Sequence, residues 1–174
     1  MTRHLTSLML LASVFSCLTN CCSMTWAQKL GDVVEESKAE WLIGTWGEVR
    51  ADEDAEDSQT TVTFEWQLDR HSILVKFESA STKACGLVTF RAHENKVLYV
   101  AADNHGATGS GEWTLNDGHP TLLYKQVSES GKETKAGFVH KKVDEKTMLI
   151  EIYELDEHGE LTGVPLALPR FERR

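Results

Sequence analysis

The chain has 174 residues, with 27 acidic against 18 basic side chains and a formal charge of −9. That balance, with no Lys/Arg cluster and no interleaving of aromatic with basic residues, excludes nucleic acid and anionic membrane surfaces as partners. The length fits a single domain.

The first residues read as an address. Arg3 gives a positive start, 5–15 is uncharged and mostly apolar, and Thr25-Trp26-Ala27 offers a cleavage site. The apolar run is too short to span a bilayer, which takes about 20 residues. Residues 1–27 are therefore expected to be a secretory signal peptide, with 28–174 secreted or periplasmic. A second reading stays open. Val14-Phe15-Ser16-Cys17 and Leu18-Thr19-Asn20-Cys21 partly match the lipobox of bacterial lipoproteins, where a cysteine such as Cys17, Cys21 or Cys22 carries a lipid anchor. Signal cleavage after Ala27 leaves Cys85 as the one thiol, so no intrachain disulfide can form.

Residues 29–42 are the helical candidate. Leu30, Val33, Val34, Trp41 and Leu42 are its apolar members, and Asp32 with Glu35 has capping-box spacing. A strand follows at 44–50, then an acidic loop at 52–58. Beyond it, alternating runs recur near 60–68, 73–79, 85–92, 96–103, 107–115, 120–127, 134–142, 147–155 and 166–172, divided by Gly/Asn/Asp/Ser turns. Strands without intervening helices imply hairpins, and an open meander of this length would expose two edges. An all-β, antiparallel, up-and-down barrel of 8–10 strands is the expected fold, with one short N-terminal helix.

Alternation assigns the faces. Val62, Phe64, Trp66, Leu68, Ile73, Val75, Phe77, Val88, Phe90, Trp113, Leu115, Phe138, Met148, Ile150 and Ile152 are expected inside. Thr61, Thr63, Glu65, Gln67, Lys76, Glu78, Glu112, Lys141 and Glu151 are expected outside. Strand 96–103 is apolar on both faces, so its outer side should be covered by the helix or by a partner. The tight turns at 69–72, 93–96, 116–118 and 144–146 share one end, which the helix should plug. The longer links share the other end, the mouth. There Asp52, Glu53, Asp54, Glu56, Asp57, Glu129, Asp156, Glu157 and Glu160 outnumber Lys83 and Lys132, and such a rim disfavours anionic ligands.

Chemistry-bearing patterns are sparse. His4, His71, His93, His105, His119 and His158 lie in the leader or in turns, with no metal-ligand spacing. His140 shares parity with Phe138 and points inward. It reads either as a core histidine or as a polar contact for a ligand. Asp103, on the parity of Tyr99, is the candidate lumenal acid. The acidic loop lacks the glycine and final glutamate of an EF-hand. Ser110 lacks a nucleophile elbow, and there is no P-loop or dinucleotide fingerprint. No catalytic residue, metal or cofactor is assigned.

Trp41-Leu42-Ile43-Gly44-Thr45-Trp46, Phe64-Glu65-Trp66-Gln67-Leu68-Asp69 and Gly109-Ser110-Gly111-Glu112-Trp113 together resemble a bacterial lipocalin-like (calycin-like) β-barrel domain found in exported proteins. The likeness covers 41–172. It departs at Arg70, where that family usually has glycine, so this turn should differ. The resemblance implies a barrel and no particular reaction. It also implies that Trp46 seals the barrel floor against a late basic residue, Arg170 or Arg173. It touches the haem-binding nitrobindins, but their C-terminal histidine context is not visible in this chain.

The expected function is an exported protein holding a small, mostly apolar, neutral or cationic molecule in its lumen. Phe64, Trp66, Phe77, Phe90, Tyr99, Trp113, Phe138 and His140 are the candidate ligand contacts, with Trp46 and Arg170 as structural floor. The alternative is a non-catalytic accessory domain with a packed interior. Export is testable directly. The mature protein should begin at Gln28 on N-terminal sequencing, or be blocked at Cys17, Cys21 or Cys22 if lipidated; an intact Met1 on cytosolic material would sink the assignment.

Overall fold

The computed structural model describes residues 28–49 and 60–174. The acidic run Asp52–Asp57, like residues 1–27 with Cys17, Cys21 and Cys22, lies outside the described residues. Within them the alternating runs form β1 (Gly44–Val49), β2 (Thr61–Gln67), β3 (Ser72–Glu78), β4 (Lys83–Arg91), β5 (Lys96–Asp103), β6 (Thr108–Asn116), β7 (His119–Val127), β8 (Glu133–Lys142), β9 (Thr147–Glu154) and β10 (Arg170–Arg173). Each strand pairs antiparallel with the next in sequence, and β10 returns to β1 to close the barrel. Closure leaves no edge strand to template association.

The pleat sorts side chains as the alternation requires. Val62, Phe64, Ile73, Val75, Val88, Met148 and Ile150 are buried. On the outer face Lys76 meets Glu65 at 3.4 Å, Lys96 meets Glu112 at 2.8 Å and Lys141 meets Glu151 at 2.7 Å, each across neighbouring strands. Such surface pairs contribute about 0–1 kcal/mol each, and they fill the outer face with groups that cannot turn inward.

Two residues assigned to the interior are outside it. Leu68 is 74% exposed and Leu115 is 54% exposed. Leu68 has left the strand for a turn in which Leu68, Asp69 and Arg70 all take positive φ (49°, 53° and 68°). Leu115 pairs with Pro120 beside the Asp117-Gly118 turn, at the tip of its hairpin. Nor does the helix cover β5. Val100 is 57% exposed, and it lies in register with Leu87 and Leu74 on the outer face.

The helical candidate is shorter than 29–42. Helix α1 spans Leu30–Glu36, and a single 3-10 turn, Glu40–Leu42, follows after Lys38 at φ 56°. Asp32 is the third helical residue rather than the cap, and its carboxylate accepts the Lys29 backbone N–H at 2.9 Å. This segment plugs the tight-turn end. Leu30 and Leu42 join Trp46, Met148, Phe171 and Ile73 in one buried cluster. Arg70, at the unusual turn, ties the plug to the barrel: its guanidinium donates to Glu40 at 2.6 Å and lies 5.1 Å from the Trp66 ring centroid.

The floor residue is Arg173 and not Arg170. Trp46 is fully buried, and its indole N–H donates to the Leu42 carbonyl at 2.9 Å. The Arg173 guanidinium lies 4.3 Å from the Trp46 ring centroid and donates to the Ile43 and Trp41 carbonyls at 2.8 and 2.5 Å. The register explains the choice. Trp46 pairs with Arg173, whereas Arg170 pairs with Val49 farther up the seam. Gly44 makes room: its φ is 132°, and a Cβ there would lie 2.5 Å from an Arg173 nitrogen. A stacked cation contributes about 0.5–2 kcal/mol. Arg173→Ala should therefore lower unfolding free energy by about 1–2 kcal/mol in urea titrations, while Arg170→Ala should stay within about 0.5 kcal/mol of wild type.

Candidate functional site: a lumenal cavity

Above the packed floor the barrel is hollow. A cavity of about 550 Å³ occupies the mouth half of the lumen. Its wall is built in tiers that the strand register sets.

The deep tier is three rings from three strands. Phe64 of β2, Trp113 of β6 and His140 of β8 are mutual neighbours. Centroid separations are 6.3 Å for Phe64–Trp113, 6.3 Å for Phe64–His140 and 4.9 Å for Trp113–His140. The upper tier holds Tyr99, Tyr124 and Phe138, with Tyr99–Tyr124 at 5.8 Å and Tyr124–Phe138 at 6.3 Å. Tyr99 and Tyr124 both pair across Gly111. Their rings lie back against strands stripped of side chains: a Cβ at Gly86 would come within 2.4 Å of Tyr99, and one at Gly109 within 1.8 Å of Tyr124. The Gly-x-Gly-x-Trp run thus keeps β6 open to its neighbours. Burial raises both phenol pKa values, with Asp103 adding to that of Tyr124, so both hydroxyls stay protonated.

At the mouth, Asp103 accepts from the backbone N–H groups of His105 and Ala107 at 2.8 and 2.9 Å, and from the Gln126 amide at 3.2 Å. Asp103, Ala107 and Gln126 also line a groove of about 450 Å³ between the β5–β6 and β7–β8 turns, where Glu129 and Lys132 sit. Lumen and groove therefore meet at Asp103. The rim is tied together here, since Asn104 accepts the Lys83 N–H at 2.7 Å and His105 meets the Ser81 carbonyl at 2.9 Å.

Six of the eight sequence-assigned contacts line the cavity: Phe64, Phe77, Tyr99, Trp113, Phe138 and His140. Trp66 and Phe90 face inward lower down, where they pack against the floor cluster. Parity gives the face and not the height. Glu48, Leu122, Tyr124 and Gln126 also line the cavity and were missed. Their signal was present: Glu48 shares parity with Trp46, and exposed Lys125 fixes Tyr124 and Gln126 inside. Among the described residues the wall carries the carboxylates of Glu48 and Asp103 and no Lys or Arg.

His140 is 5% exposed. Its Nδ1 lies 3.1 Å from the Phe138 carbonyl oxygen and 3.3 Å from that of Pro120. Both oxygens can only accept, so Nδ1 carries the proton and donates. Burial depresses the imidazole pKa from 6.5 to about 4, against the smaller opposing effect of those carbonyls. The ring is therefore neutral near pH 7.

No group of three or more His, Cys, Asp or Glu that could hold a metal ion occurs among the described residues. Nor is any helix among them long and apolar enough to cross a membrane. Comparison with protein-family models and with curated proteins finds no match to the chain.

The depressed imidazole sets a pH dependence. Because the unfolded state binds the proton first, stability is fully present above about pH 6.5 and falls as pH drops toward about 4. The change attributable to this ring is about 3 kcal/mol. In chemical denaturation across that window, His140→Leu should flatten the acid limb; an unchanged limb would show that His140 is not neutral in the fold.

Proposed function

We propose that this protein is an exported, lipocalin-like binding protein that holds a small, mostly apolar, neutral or cationic molecule in its lumen. The observation that carries the reading is the cavity itself. Its volume falls within the range of roughly 300–1,000 Å³ typical of small-molecule sites, and aromatic walls with a few polar groups are their usual lining. The charge of the wall supports the second half of the reading. Asp103 stands at the entrance in a lining that includes no Lys or Arg among the described residues, and a carboxylate there raises the energy of an incoming anion and lowers that of an ammonium group. The Gly-Thr-Trp floor with its stacked arginine supports the likeness to lipocalins.

The alternative, a non-catalytic accessory domain, draws support from the outer apolar strip of Leu74, Leu87 and Val100. It gives no reason for a hollow interior.

A neutral solvatochromic dye such as Nile red should bind the wild-type protein and gain fluorescence. A phenyl ring built from the wall at Ala84 should weaken that binding by about tenfold or more without altering the far-UV dichroism. Among ligands of one chain length, dodecylamine and dodecanol should displace the dye better than dodecanoate at low salt. A folded wild type that leaves the dye in water, or dodecanoate matching the amine, would overturn the proposal.

A further inference from the structure

The deep end of the lumen holds an unused lone pair. With Nδ1 of His140 donating to the Phe138 and Pro120 carbonyls, the opposite ring nitrogen, Nε2, is left as an acceptor. It has no hydrogen-bond partner among the described residues, and the ring lines the cavity. The other side chains at this depth are Phe64, Trp113, Leu122, Val75 and Ile150. The Trp113 indole N–H is itself sealed from solvent without a partner, so it does not serve Nε2. Ring contacts on two sides, from Phe64 and Trp113, keep the imidazole from turning away. A core histidine kept only for packing would have both nitrogens satisfied or be replaced by an apolar ring without loss. This one is oriented by its back edge and open at its front.

We propose that the buried end of the lumen selects an apolar ligand carrying a neutral hydroxyl or N–H donor at its leading end, which His140 Nε2 accepts. The inference rests on the lumen being a binding site and adds which end of the ligand enters first and what group that end bears. An ether, ester or hydrocarbon of the same shape offers no proton and leaves the acceptor bare. A carboxylate brings a negative charge to a lone pair.

The test uses two probes of matched shape, 2-naphthol and 2-methoxynaphthalene, with binding followed by calorimetry on the full mature chain. Wild type should take the alcohol about five- to tenfold more tightly than the ether, the scale of one neutral hydrogen bond. His140→Phe should bind both equally, at the affinity wild type has for the ether. Because that substitution also changes the packing around the site, a second measurement uses wild type alone. In 15N-labelled protein, the Nε2 resonance of His140 should move on addition of the alcohol and stay put on addition of the ether. Equal binding of the two probes by wild type, or an alcohol preference that survives in His140→Phe, overturns this inference and leaves lumenal binding standing. Binding of neither probe sinks the lumen reading as well. A Soret shift on adding haemin that His140→Phe abolishes would also overturn it, since the same lone pair would then be ligating iron.

Discussion

Everything in this barrel depends on the seam where its last strand meets its first. β10 is four residues long, and its ladder to β1 runs only from Trp46–Arg173 to Val49–Arg170. So short a ladder is a weak closure by backbone bonds alone. The Trp46–Arg173 stack adds a side-chain clasp at the floor end, where Arg173 also takes the carbonyls of Trp41 and Ile43. Those carbonyls belong to the segment that joins the plug to β1, so one guanidinium fastens the strand seam and the plug together. A barrel open at this seam would have two edges, and the lumen would be a sheet face rather than a chamber.

The clasp also decides where the hollow lies. Leu30, Leu42, Met148, Phe171 and the Trp46 indole fill the lower lumen, and the apolar surface they remove from water, at about 25 cal/mol per Å², supports the fold. Space left unfilled above them forfeits such contacts. Glycines at 86 and 109 let Tyr99 and Tyr124 lie against the wall rather than project into the centre. Strain is spent at the other end, where three consecutive non-glycine residues hold positive φ in the β2–β3 turn. Left-handed backbone costs roughly 1–2 kcal/mol per residue. In that conformation Arg70 reaches Glu40 and the Trp66 face, which binds the plug to the barrel.

Period-two alternation made the strands, their faces and the parity of the turns legible from sequence, because each follows from the pleat and from hairpin connectivity. What alternation lacks is height along the barrel axis. Trp66 and Phe90 were assigned to the site for that reason, and they belong to the floor. Register between distant strands is equally silent, which is why Arg170 and Arg173 could not be told apart until Trp46 was seen opposite Arg173. At the turn where a glycine was expected from the resemblance, Arg70 holds φ 68°, the left-handed region that glycine adopts readily. Glu48 and Tyr124 were within reach, since Glu48 shares parity with Trp46 and Tyr124 alternates with the charged Lys125. Acidic residues at 52–57 fall outside the described residues, so the expectation of an anionic mouth rests, among those described, on Asp103 and Glu129, with Lys132 in the same groove.

Those carboxylates and the neutral imidazole give the lumen two unlike ends. At the mouth, Asp103 accepts from two backbone N–H groups and the Gln126 amide, which fix its carboxyl group in position. At depth, charge is refused: burial keeps His140 neutral with no ionised neighbour to offset the desolvation. On the binding proposed above, a molecule with an apolar body would be sorted by its two termini. An ammonium can rest at the entrance, where solvent and carboxylates share it, but would shed its hydration at the floor for one lone pair. A hydroxyl reverses that preference, since it is cheap to desolvate and finds an acceptor waiting. The difference in environment between entrance and floor, rather than the volume between them, is what gives an otherwise greasy chamber a direction.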